Sequence, residues 1–178
     1  GEAGEGLGAA AHGDPEAGLD PDALDAVARN LDGIESLSRE RVGAEMLKLL
    51  AAPDPAPAVA AMRATGALAR VLPGAGDGLL APLVHVEGEA RLPPDPLRRL
   101  AALGGEEPAG RLRLSRAEAR RLDAYREHMG SALGPGELGY RLGAEAAQGV
   151  LCLRAALSNA TAEPAALAAA ADGAGRRL

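Results

Sequence analysis

The sequence predicts an all-α fold, an array of about seven to nine short helices, and three observations carry that prediction. Nothing alternates apolar and polar residues with period two for long enough to make a strand. Apolar residues recur instead at i, i+3, i+4 and i+7, in segments that open on Asp-Pro or Ser and close on Gly. The hydrophobic content, 47 % of the chain, is built from Leu, Val and Ala, with no Phe, no Trp and only Tyr125 and Tyr140. Small side chains let helices approach closely, and Ala is the best helix former. Thirteen Pro and 24 Gly cut the pattern into short pieces.

The elements follow in order. Asp20 is an N-cap with Pro21 in the first helical position; Leu24, Val27, Ala28 and Leu31 form the stripe, and Gly33 ends it. Over residues 37–50, LSRERVGAEMLKLL, Ser38 reads as the cap, with Glu40 in the first turn near the positive end of the dipole. Val42, Met46, Leu49 and Leu50 make one apolar stripe there. Glu45 lies on that stripe or at its edge, where a carboxylate is costly unless paired, and Arg41 one turn earlier is the expected partner. This helix must stop before Pro53. Asp54-Pro55 opens the next, which carries Val59 and Met62 inward and ends at Gly66; a short turn with Leu68, Val71 and Leu72 runs into Pro73.

Residues 74–78, GAGDG, are a loop, and 79–89 a helix that tolerates Pro82 only in its first turn. Asp95-Pro96 starts LRRLAAL, stopped by Gly104-Gly105. Ser115-Arg116-Ala117-Glu118 spells a capping box, with Leu114 as a hydrophobic staple. Its helix carries Leu122, Tyr125 and Met129, and Gly130 closes it. Residues 135–157 read as one long or broken helix, and 163–171 as a last short one. The Asp-Pro starters recur without fixed spacing, so the chain is no repeat array. Three regions are expected: a loose leader over 1–13, a helical group over 14–104, and a second over 105–178, with the boundary in 104–111. A chain that begins with Gly1 and GEAGEGLGAAAHG is expected to be a piece of something larger.

Charge is unevenly spread. The net charge of −6 disfavours a strongly basic, free-standing nucleic-acid binder. Residues 1–50 hold eleven acids and four bases, whereas residues 91–126 hold nine Arg and five acids. Within that basic stretch, Arg116 and Arg120 stand four apart on the capped helix, Arg113 and Arg121 flank them, and Arg98 and Arg99 come from the helix before. A solvated charged face and an RNA-facing one explain this equally well. Tyr125 alone is poor material for base stacking, so any RNA contact there is with the backbone.

Other signals carry little chemistry. Asp20-Pro21-Asp22 has the Asp-x-Asp spelling of two-metal nucleotidyl transfer, but it caps a helix where that chemistry uses a strand. GAGDG lacks the preceding strand and the Lys-Ser/Thr ending of a phosphate loop. His12, His85 and His128 are scattered, so no metal site is expected. Cys152, in the apolar run Val150, Leu151 and Leu153, reads as a buried thiol, and a lone Cys allows no disulfide within the chain. No apolar run nears the roughly 20 residues of a membrane span, and no signal peptide is legible, so a cytoplasmic location is expected.

LSRERVGAEMLKLL, followed by PDPAPAVAAMRATGALARVLP, resembles the neck and body of the bacterial CCA-adding tRNA nucleotidyltransferase and poly(A) polymerase family. The resemblance rests on Ser38, Arg39, Glu40, Arg41, Glu45 and 47–50, then on Gly66, Leu68, Leu72 and Pro73. DPEAGLDPDALDAVARNLDGIESL fits the stretch leading into this block; DPLRRLAAL and ELGYRLGAEAA look like later body segments. It implies the helical neck and body of a class II nucleotidyltransferase without the catalytic β head that holds Mg²⁺ and CTP or ATP. No catalytic residue is therefore expected in this chain. Its partners would be tRNA or another RNA 3′ end and the enzyme's own head. Arg41 and Glu45 would buttress the nucleotide-selecting helix. Arg91, Arg98, Arg99, Arg113, Arg116, Arg120 and Arg121 would be candidates for phosphate contacts. The rival expectation is a helical protein–protein interaction module with no RNA role.

Overall fold

A computed structural model describes residues 36–177, which are all-α. Ten helices run through them: α1 (Ser36–Leu50), α2 (Ala56–Thr65), α3 (Ala67–Val71), α4 (Leu80–Ala90), α5 (Pro96–Leu103), α6 (Pro108–Arg111), α7 (Arg116–His128), α8 (Pro135–Leu142), α9 (Ala144–Leu157) and α10 (Pro164–Gly175). The only strand-like pairing among them is an isolated antiparallel bridge between Ala75 and Gly104. The leader, His12, the helix capped at Asp20 and the Asp20-Pro21-Asp22 spelling lie outside the described residues.

Caps legible in the sequence do set the ends. Asp95, in extended conformation, accepts from the Leu97 N–H at 2.9 Å and starts α5 with Pro96 in its first turn. Ser115 accepts from the Glu118 N–H at 3.1 Å while the Glu118 carboxylate takes the Ser115 N–H at 2.8 Å, a complete capping box on α7. Gly66 closes α2 with φ 87°, the left-handed conformation glycine adopts without strain. The 135–157 pattern is two helices, broken at Gly143 with φ 89°. One expectation fails: α1 begins at Ser36, so Ser38 lies inside its first turn and not at the cap.

One apolar core runs through the described chain, from Val42, Met46, Leu49 and Leu50 of α1 to Ala170 of α10. Its centre is α5, which packs against α1, α4, α7 and α9. At full burial, about 25 cal/mol for each Å² of apolar surface makes these Leu, Val and Met contacts the main source of stability. With few bulky side chains, closeness substitutes for bulk. A Cβ at Gly43 would run into the Leu112 carbonyl, and one at Gly149 would meet the Tyr125 ring. On α8, Gly139 lies against the Ala170 carbonyl and Gly136 against Gly173, so α8 and α10 touch backbone to backbone. None of the helices described is long and apolar enough to cross a membrane.

Candidate RNA interface

Two of the seven arginines expected to face phosphate do not. Arg98 and Arg99 are each 2 % exposed, enclosed between α1, α4 and α5. Glu87 of α4, itself buried, accepts from both: the Arg98 Nε at 2.5 Å and the Arg99 Nε at 3.1 Å. Arg98 also donates to the Pro93 carbonyl at 2.6 Å. Arg99 reaches back to the carbonyls of Leu50 (2.7 Å), Ala52 and Pro53 (3.2 Å), beyond the last turn of α1. A helix leaves its last carbonyls without partners, and a guanidinium with five donors is well suited to collect them. Burial disfavours the charged Arg98, but the charge of Glu87 and its hydrogen bond outweigh this and raise its pKa. Enclosed and held by these bonds, the two arginines tie helices together and cannot reach RNA.

Arg121 is intermediate. Its Nε donates to Asp95 at 3.0 Å and its other arm meets Glu145 at 3.1 Å, while the guanidinium lies over the Tyr125 ring at 5.6 Å. Tyr125 donates its hydroxyl to the same Asp95 carboxylate at 2.5 Å. Burial pushes Asp95 upward, yet the Tyr125 hydrogen bond and the charge and hydrogen bond of Arg121 overcome it and hold the carboxyl below its ordinary value. Burial, with the nearby Asp95 charge, raises Tyr125 in turn. This cluster joins the start of α5 to the middle of α7.

The remaining four, Arg91, Arg113, Arg116 and Arg120, are exposed. Arg116 and Arg120 share one face of α7. Neither they nor Arg91 form an ion pair among the described residues. Arg91 is four residues before Asp95, which Arg121 grips, so the chain places it within about 14 Å of the α5–α7 joint. Helix stability does not explain the grouping. Arg116 opens α7, where the dipole favours acids, and like charges four apart on a helix repel. Arg91 and Arg113 both adopt φ above +50°, at 58° and 52°, which costs a residue with a Cβ about 1–2 kcal/mol.

The LSRERVGAEMLKLL block differs from expectation at its centre. Arg41 and Glu40 are exposed, Ser38 and Arg39 half-buried, and Arg41 makes no ion pair with Glu45 among the described residues. Glu45 is half-buried, and one of its carboxylate oxygens is enclosed with no hydrogen-bond partner. Together with Lys48 at i+7, Arg41 makes an exposed basic pair. Arg70 on α3 is exposed as well, whereas Arg63 is taken by Asp77 at 2.9 Å.

Other candidate chemistry is sparse. Cys152 is a buried free thiol that burial pushes up to about 11. His128 meets Ser131 at 3.2 Å, and the exposed His85 meets Glu89 at 3.3 Å, both local contacts. Among the described residues no three His, Cys, Asp or Glu side chains converge as a metal site would require.

No curated protein and no solved structure matches the chain. A family model does match, over residues 18–79, and its description is "Probable RNA and SrmB- binding site of polymerase A". Of that span α1, α2 and α3 are described, including Arg41, Lys48 and Arg70, while the arginines of 91–121 lie beyond it. Over those residues the chain is similar to poly(A) polymerase-like proteins.

Proposed function

We propose that this chain is the RNA-holding helical portion, neck and body, of a cytoplasmic nucleotidyltransferase that adds CCA or a poly(A) tail to RNA 3′ ends. The observation that carries the reading is the match of residues 18–79 to an RNA-binding segment of polymerase A. The exposed arginines on α7 and at the end of α4, which form no ion pair among the described residues, support it. They offer charge without packing, and a planar guanidinium can fork onto a phosphate. Backbone contacts of this kind hold RNA without reading its sequence. Nucleotide transfer is assigned to a head outside these residues. Among the described residues no three His, Cys, Asp or Glu side chains come together as a metal site would need.

Fluorescence anisotropy with a tRNA lacking its CCA end, over a series of salt concentrations, tests the proposal. Each phosphate contact adds about 0.7–0.9 to the steepness of log K against log salt. Arg91→Glu, Arg116→Glu and Arg120→Glu together should abolish binding or flatten that slope by about 2–3. Arg121 is left intact because reversing it would break the Asp95 joint. Binding with an unchanged slope would mean that this basic face is only solvated. A second reading, a helical module that binds protein, draws on the SrmB named beside RNA in the family description. It predicts no salt-dependent RNA binding at all.

A further inference from the structure

Tyr140 is 50 % exposed, in a chain with only two Tyr, no Phe and no Trp. Its neighbours in sequence, Leu138 and Gly139, are fully buried. Gly136 and Gly139 form the stripe of α8 that meets α10 backbone to backbone, Tyr140 follows Gly139 in the chain, and Gly143 caps the end of α8. Tyr140 lies one turn from Gly136 on one side and one turn from Gly143 on the other. The ring therefore sits at the rim of the α8–α10 seam, on a backbone that the glycine contacts hold rigid.

Arg141 lies on α8, and Arg176 and Arg177 follow the end of α10. The Arg177 Nη1 lies 3.2 Å from where a Cβ on Gly143 would be, and Arg177 forms no ion pair among the described residues. Arg141 adjoins Tyr140 and pairs with Glu137 at 2.7 Å; Arg176 pairs with Asp172 at 3.1 Å. Both pairs are solvent-exposed contacts between residues four apart on one helix. Such pairs contribute little and exchange readily for a phosphate. Glu137 and Asp172, the acids of these two helices, are thus already matched within their own helices.

We propose that Tyr140 is a stacking platform for an unpaired RNA base, with Arg177 and its neighbours taking the adjoining phosphates. An exposed aromatic ring on a rigid element, flanked by cations, suits single-stranded nucleic acid, because every base has a face to stack. This surface is separate from the α7 arginines and adds a preference for unpaired strand. It rests on the RNA-holding reading.

The test compares a labelled single-stranded oligoadenylate with an RNA duplex of equal length, using the whole chain. Tyr140→Ala should weaken single-strand binding by about fivefold or more and leave the duplex unchanged, while Tyr140→Phe should retain full affinity. The protein's own emission gives a second readout. Tyr125 is buried against a carboxylate, so Tyr140 dominates the signal, and single-stranded RNA should quench it. Unchanged single-strand affinity in Tyr140→Ala overturns the proposal, as does an equal loss on both RNAs. In either case intact wild-type binding that Arg91→Glu, Arg116→Glu and Arg120→Glu abolish leaves the RNA-holding reading standing. If the wild-type chain binds neither RNA, both fall.

Discussion

Glu87 holds two buried guanidinium groups at once, and its loss would leave both charges enclosed with fewer partners. Breaking a buried ion pair from one side costs about 3–5 kcal/mol, well above the fraction of a kcal/mol expected for a surface pair. Glu87→Ala should therefore lower the urea midpoint of unfolding sharply. A change below about 1 kcal/mol would show that water screens the cluster. The sequence hides this arrangement for a physical reason. In LRRLAAL the leucines mark an apolar face and the arginines fall beside it, which reads as the solvent side. That reading assumes one open side, but α5 is surrounded by α1, α4, α7 and α9, so its polar face is enclosed too. The available signal was Glu87, an acid placed directly after the apolar Leu83, Val84 and Val86 of α4 and far enough from the arginines in the chain for them to fold back onto it.

Helix ends were the most legible feature, because a cap is chemistry between residues two or three apart. Asp95 and the Ser115–Glu118 box form as their spacing dictates. The break at Gly143 and the absent Arg41–Glu45 pair depend on what packs alongside, which no local pattern contains. Asp95 shows how one cap gains a second role, since it also receives Tyr125 and Arg121 from α7. This joint should make stability depend on pH at both extremes. The folded Asp95 has a depressed pKa, so its contribution is present above its unfolded value near 3.8 and is lost as pH falls below that. The folded Tyr125 has a raised pKa, so its contribution is present below its unfolded value near 10.0 and is lost as pH rises beyond it. Thermal unfolding followed across pH should show both limbs. Tyr125→Phe should shrink the alkaline limb to the part that the buried Cys152 thiol contributes, and shrink the acid one, because Asp95 then loses a donor. An alkaline limb of undiminished size in this variant would locate its source elsewhere.

At the scale of the molecule, the segment that matches an RNA-binding family model and the stretch richest in exposed arginine are different parts of one core. Arg99 ties them, bonding from α5 to the chain just beyond α1. If RNA lies across both, the basic residues of α1 contribute to binding independently of those on α7. Arg41→Glu with Lys48→Glu should then flatten the salt dependence by about 1.5–2, and this loss should add to that of the Arg91, Arg116 and Arg120 reversals. Both α1 residues are exposed, and reversing Lys48 near the negative end of the helix dipole costs only about 0.3–1 kcal/mol, so the fold should survive. A slope that falls with the α7 reversals and ignores those on α1 would confine RNA to residues 91–120. The converse result would make the matched segment the RNA site and the α7 arginines a solvated face. Additive losses from both would place a single RNA along the surface that the Glu87 cluster holds together.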